Sequence, residues 1–210
     1  MTKKLSVELN QYFFAEARQP QVKIGDVLSL AGDSVFGLLF VLLALPSALP
    51  LPAPGYSIPF GLAILPLALQ LALGREQPWL PPRFVNGALS LERAQGFLKA
   101  GTPWLRRLEA IAKPRFSHLC TNPAGRAVLG GVIALMATSM LIPIPGTNTL
   151  PAIAIFLIGF GLVEDDGLIC LFGLFCALLY LVLLTIAIIL FVQTGANFYN
   201  ILKDWIKSLV

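Results

Sequence analysis

The chain has 210 residues, of which 57% are hydrophobic and 12% charged, and a formal net charge of +4. A mean hydropathy of +0.80 excludes an ordinary soluble domain and predicts a single all-α integral membrane domain. Lysine and arginine gather in the N-terminal tail and a central linker, which suits anionic lipid headgroups, and no groove-binding motif makes nucleic acid an expected partner.

In residues 5–18, Leu5, Leu9, Tyr12 and Phe13 share one helical face behind Lys3 and Lys4, which predicts a short surface-lying helix. Residues 25–32 read as a second short piece, and Asp33-Ser34 as the N-cap of a helix that starts near Val35. Residues 35–73 carry no charge at all. A straight helix of that length would measure ~58 Å, about twice the hydrocarbon thickness. Pro52, Pro54 and Gly55 stand in its middle. Proline removes a backbone donor and clashes with the preceding turn, so Pro-x-Pro-Gly ends a helix. The break, taken over 46–59, predicts limbs at 35–45 and 60–73 folded as a broken or re-entrant hairpin. At membrane depth such a break survives only inside protein or beside a wet cavity, because lipid cannot bond the freed backbone groups.

Trp79 suits the membrane interface, and the linker around it holds Arg75, Arg83, Arg93, Lys99, Arg106, Arg107, Lys113, Arg115 and Arg126 against Glu76, Glu92 and Glu109. That bias makes the linker cytoplasmic by the positive-inside rule. Trp104, Leu105, Leu108, Ile111 and Ala112 fill one arc opposite Arg106, Glu109 and Lys113, an amphipathic helix that Gly101-Thr-Pro separates from an earlier helix near 89–100. Residues 127–163 form a second uncharged run, broken by Pro143, Pro145 and Gly146. Glu164-Asp-Asp-Gly marks the exit from it. Residues 168–192 are long enough to span in one piece, and Phe198, Ile201, Leu202, Trp205, Ile206 and Leu209 predict an interfacial C-terminal helix.

Gly55 and Gly146 are 91 positions apart, and Pro52 and Pro54 recur as Pro143 and Pro145 at the same offset. The matched flanks predict a duplicated half-domain. Repeat 1 covers about 26–76, the basic amphipathic linker 77–124, repeat 2 125–166, the transmembrane helix 168–192 and the C-terminal amphipathic helix 197–210. Basic residues on both sides of repeat 1 require an even number of crossings, which a hairpin satisfies, whereas inverted repeats need one repeat to cross an odd number of times; charge counting leaves the two arrangements open.

The chain resembles the ExoD family of bacterial membrane proteins from about residue 28 to 190. The most specific parts are Leu43-Ala-Leu-Pro with Leu51-Pro-Ala-Pro-Gly, Gln70-Leu-Ala-Leu-Gly-Arg-Glu-Gln-Pro-Trp-Leu-Pro and Pro114-Arg-Phe. Ile142-Pro-Ile-Pro-Gly-Thr-Asn-Thr-Leu-Pro and Gly161-Leu-Val-Glu-Asp-Asp-Gly complete the set. The family often shows Glu-Arg-Asp-Gly where this chain has Glu164-Asp165-Asp166-Gly167, so an arginine used there would be missing. The resemblance implies a role in exopolysaccharide synthesis, a multi-pass place in the bacterial inner membrane and contact with the synthesis machinery. It carries over no residue-by-residue chemistry.

Asn148, with Thr147 and Thr149, stands just after the second break, and Tyr56 and Ser57 hold the matching place in the first. These groups suit a polar substrate or ion at an unwound helix, and they equally suit capping of the outgoing limb. Gln70, at membrane depth, fits either a helix–helix bond or substrate contact. Glu164, Asp165 and Asp166 read as a solvated loop at a helix start rather than a cation site. Arg75, Arg83, Arg106, Arg107 and Arg115 are candidates for lipid headgroup contact. Cys120, Cys170 and Cys176 show neither metal spacing nor a disulfide framework and read as small buried hydrophobes. His118 is the single histidine and has no nucleophile at a recognisable spacing, so no catalytic residue, metal or cofactor is nominated. Membrane lipids are the expected partners, with a homodimer also open. Three roles are compatible with these residues: a transporter-like or lipid-handling protein, a non-catalytic partner or regulator of a polysaccharide synthase, and, least supported, an enzyme acting on lipid-linked sugars.

Overall fold

The structure, a computed structural model, describes residues 21–23, 32–48, 57–82, 88–90, 112–142 and 148–207. These residues form α1 (Val35–Ala48), α2 (Ile58–Ala72), the single turn α3 (His118–Thr121), α4 (Pro123–Met140), α5 (Thr149–Val163) and α6 (Gly167–Lys207). A short 3₁₀ turn, Gly32–Ser34, leads into α1. The departure from an all-helical reading is one small antiparallel pair, β1 (Gln21–Lys23) with β2 (Ala88–Ser90), in which Val22 faces Leu89. Leu89 and Ser90 thus lie in a strand, where a helix is expected from the sequence. The helices expected at 5–18 and 104–113 fall outside the described residues, apart from Ala112 and Lys113, which are not helical.

The limbs of both uncharged runs are short helices. At 1.5 Å per residue α1, α2, α4 and α5 span ~21–27 Å, somewhat less than the ~30 Å of hydrocarbon. Pro46 lies inside α1, which continues to Ala48, three residues beyond the expected end. Near a C-terminus a proline sacrifices one i→i−4 bond and the helix needs few more turns to end. Pro59 sits in the first turn of α2, where its missing N–H costs nothing.

Four of these helices pack as crossed pairs, α1 with α5 and α2 with α4. Small residues set the closeness. A Cβ on Gly37 would stand 2.6 Å from the Gly159 carbonyl, and one on Gly159 2.8 Å from Phe40 Cβ. A Cβ on Gly130 would stand 2.5 Å from the Ala72 nitrogen and 2.8 Å from the Ala68 carbonyl. Small residues four apart are what lets membrane helices approach backbone to backbone. Phe36, Phe40, Ile64, Leu71, Leu129, Ile133, Met136, Met140, Ile155 and Ile158 fill the interior between the pairs.

The two pairs are oriented alike. Ser34 Oγ reaches the Val163 carbonyl at 3.4 Å, so the start of α1 meets the end of α5. Arg126, at the start of α4, donates to the Arg75 carbonyl after α2 at 3.1 Å, and its guanidinium lies 5.9 Å from the centre of the Phe36 ring in α1. The starts of α1 and α4 and the ends of α2 and α5 therefore share one end of the bundle. The end of α1 and the starts of α2 and α5 lie at the other, with the end of α4.

Among the described residues, two helices are long and apolar enough to cross a membrane, α4 and the Gly167–Thr194 part of α6. Helix α6 packs on α5 through Cys170 and Gly173, then runs on with Leu183, Ile186, Ile189, Leu190 and Phe191 exposed. The expected span and C-terminal helix are one continuous element of 41 residues, ~62 Å long, because no proline interrupts 167–207. Leu62, Leu69, Val128 and Leu135 also face outward. An apolar exterior of this extent belongs in lipid or against a partner.

Candidate functional site

The helix ends that flank the two breaks are built alike. Ser57 precedes α2 with φ −75° and ψ −18°, and Asn148 precedes α5 with φ −82° and ψ −18°. The Ser57 carbonyl accepts from Gly61 N at 2.9 Å and the Asn148 carbonyl from Ala152 N at 3.2 Å. Both α2 and α5 have 15 residues. At their far ends Arg75 N bonds the Gln70 carbonyl at 3.1 Å and Asp166 N bonds the Gly161 carbonyl at 2.9 Å, with Gly74 and Asp165 at positive φ. This is the closing bond of a Schellman-type cap, and it recurs at the 91-residue offset read from the sequence.

Neither Ser57 nor Asn148 uses its side chain to cap. An N-cap normally takes extended backbone, which aims its oxygen at the N–H two or three residues on. Asn122 does so, at φ −71° and ψ 135°, and accepts from Ala124 N at 3.1 Å. In Asn148 the helical backbone turns the amide elsewhere, and its Oδ1 is buried without a hydrogen-bond partner among the described residues. Ser47 Oγ, at the end of α1, is in the same condition, with Ser47 only 2% exposed. Because α1 and α5 run antiparallel, with Gly37 against Gly159 and Val163, Ser47 comes level with the first turn of α5. Two orphaned oxygens thus sit at the break end of one helix pair. Sequence reasoning names Asn148 and misses Ser47, a serine in an apolar helix end whose only signal is its place beside the break.

Gln70 lies at the opposite end. Its amide accepts from Trp79 N at 2.6 Å and donates to the Trp79 carbonyl at 3.2 Å, which pins the chain leaving α2. Thr149 opens α5, half-buried. Tyr56, Thr147, Pro52, Pro54, Gly55, Pro143, Pro145 and Gly146 fall outside the described residues, as do Arg83, Arg106 and Arg107. Arg75 and Arg115 are exposed at the end opposite the breaks.

The family model for exopolysaccharide synthesis, ExoD, matches residues 5–186. The chain belongs to the ExoD family. It is 50% identical over 204 residues to an uncharacterized protein of Synechocystis, covering 97% of this chain and 96% of that one. It is 32% identical over 166 residues to Protein ExoD of Rhizobium meliloti, covering 77% of this chain and 68% of that one. No solved structure matches. Membership implies involvement in exopolysaccharide synthesis, and with two span-length apolar helices it points to membrane association.

At the basic end of this ExoD-family bundle, Asp166 is 1% exposed rather than solvated. Its Oδ1 accepts from Leu168 N at 3.0 Å and caps α6, while Oδ2 accepts from Lys113 N at 2.9 Å. Gly167 N donates to the Arg115 carbonyl at 2.7 Å, so the Pro114-Arg-Phe motif is fastened to the start of α6. Cys120 and Cys170, fifty residues apart in sequence, bring their Sγ atoms to 3.4 Å, both buried. Sequence spacing gives no sign of that meeting.

Proposed function

We propose that the chain is a multi-pass inner-membrane protein that handles a polar or lipid-linked substrate of exopolysaccharide production at its paired helix breaks. The duplication read from the sequence is the frame of this reading. Each repeat contributes two limbs entering from one side, so the repeats are parallel rather than inverted, and each limb packs against the other repeat. The observation that carries it is the meeting of all four break-flanking helix ends at one end of the bundle, where Ser47 and Asn148 have oxygens without a partner among the described residues. Buried polar atoms without partners cost stability, and polar side chains held so in an apolar setting support a functional reading.

The test is transport or lipid scrambling in vesicles that contain the purified chain alone. Activity above protein-free vesicles is the expected result. Inert vesicles, with normal exopolysaccharide output restored in cells by the same protein, would favour the second role, a non-catalytic partner of the synthase.

The linker at 75–126 is cytoplasmic in this reading, which sets the break end toward the outer face. A single cysteine at Ser90 should therefore resist an impermeant thiol reagent applied to intact cells and react after the membrane is opened. Labelling from outside would reverse the assignment.

A further inference from the structure

We propose that Cys120 and Cys170 form a modification site for hydrogen peroxide, a dithiol whose oxidation to a disulfide staples the turn after the linker to the start of α6. The role proposed at the breaks uses neither side chain, and the pair stands at the opposite end of the bundle.

The two thiols come from elements fifty positions apart, α3 and the first turn of α6, and meet at 3.4 Å. That is contact distance for two sulfurs. A disulfide bond is ~2.05 Å long, so the pair must close by roughly 1.3 Å, shared between two side-chain rotations. A Cβ on Gly161 would stand 2.5 Å from Cys170 Sγ, so glycine leaves the room that this sulfur takes. Cys120 Sγ lies 3.6 Å from the Gly161 carbonyl, and Cys170 Sγ 3.6 Å from the Ile158 carbonyl. Both sulfurs are therefore seated on the last turns of α5. Cys176 is half-buried, six positions along α6 and ~120° around the helix from Cys170, so it points elsewhere.

The closed site protects the pair, since a thiol in apolar surroundings reacts slowly. Cys120 is 4% exposed and Cys170 fully enclosed. The opening is supplied by α3, a single turn with His118, Thr121 and Asn122 exposed around Cys120 and held through the carbonyls of Phe116 and Ser117. A lone turn belongs to the low-stability end of local unfolding. Lifting it bares Cys120 while Cys170 stays under α5. Hydrogen peroxide, neutral and little larger than water, then transfers one oxygen to Cys120, giving a sulfenic acid and one water. When α3 closes again, the Cys170 sulfur attacks the Cys120 sulfur. The S–O bond breaks, and the hydroxyl leaves with the Cys170 proton as a second water. Two thiols have lost two electrons and two protons, and the peroxide is reduced to two waters. On the cytoplasmic side, where the proposed topology sets this end, thiols are held reduced and a disulfide is transient. It reinforces two ties already there, Lys113 N to the Asp166 carboxylate and Gly167 N to the Arg115 carbonyl.

The test uses the full chain carrying Cys176→Ala, treated in detergent with hydrogen peroxide, then denatured and alkylated with N-ethylmaleimide. Untreated protein should take the reagent at both remaining thiols. Treated protein should take none, weigh less by two hydrogens, show a peptide link between 120 and 170, and recover both thiols with dithiothreitol. The oxidised form should melt about 5–10 °C higher and be cut severalfold more slowly by trypsin after Arg115. Peroxide should change neither reading in Cys120→Ala. Cys170→Ala should stop at a sulfenic acid on Cys120, trapped by dimedone. The same peptide mapping on the unmutated chain checks that the link does not depend on Cys176→Ala. Both thiols still free after peroxide would overturn the proposal, as would oxygen added without a link, or a link between two chains. A disulfide that leaves melting and cleavage unchanged would overturn the staple.

Discussion

Gly37→Leu and Gly130→Leu should each leave little folded protein in the membrane, while Gly131→Leu should accumulate as wild type does. The three residues have the same propensity cost in a helix, so composition cannot separate them. What separates them is what a side chain would meet. At Gly37 the first added carbon would lie 2.6 Å from the Gly159 carbonyl and 2.9 Å from Val163 N, and at Gly130 2.5 Å from Ala72 N. These are backbone atoms of a facing helix and cannot rotate aside. At Gly131 nothing lies within 4 Å. Overpacking a core that can adjust costs ~1–3 kcal/mol. Here the only adjustment is to part the helices, which also forfeits the dispersion contacts along the seam. Gly61→Ala should be milder, since its nearest neighbours stand at 3.0–3.2 Å. The measurement is protein level and melting temperature for each variant in parallel. A Gly37→Leu protein as abundant and as stable as Gly131→Leu would mean that α1 and α5 do not approach as described.

The same glycines explain which parts of the fold are legible in sequence. Two uncharged runs, each about twice the useful span, call for short limbs, and α2 and α5 do begin and end at positions 91 apart. Direction is not legible. Charge counting gives an even number of crossings for residues 26–76, but only long-range contacts such as Arg126 against Phe36 bring the starts of α1 and α4 to one end. Residue type alone puts Pro46 in the break, yet a proline near a C-terminus loses one bond and leaves the helix standing. Asn148 is visible as a polar residue after a break, whereas its failure to cap depends on a backbone angle that residue type does not determine. Asp166 reads as solvated because it sits in an acidic triplet. Its burial depends on Lys113, 53 positions away.

That burial makes Asp166 the second position of large expected effect, and the effect should fall on stability rather than on turnover. The carboxylate joins two segments: Oδ1 accepts from Leu168 N at the start of α6, and Oδ2 accepts from Lys113 N at the end of the linker. Asp166→Ala removes the acceptor of both N–H groups; Asp166 is 1% exposed, but Lys113 and Leu168 are exposed and both bonds are part-buried, so water can reach the freed donors. The net worth of a hydrogen bond is ~0.5–1.5 kcal/mol, so about 1–3 kcal/mol is the expected loss. Asp166→Asn should cost less, because one oxygen can still cap α6 while the amide nitrogen now opposes a donor. The order of melting temperatures is then wild type, Asp166→Asn, Asp166→Ala. Release of the linker should also show as faster proteolysis near 112–117 in the alanine variant, ahead of any cleavage within α4 or α5. Exopolysaccharide output per folded molecule should stay constant across the series, because Asp166 lies at the end opposite the breaks. An alanine variant that melts with wild type would show that the carboxylate does not join these segments. One that stays folded yet loses output would move the working site to the basic end of the bundle.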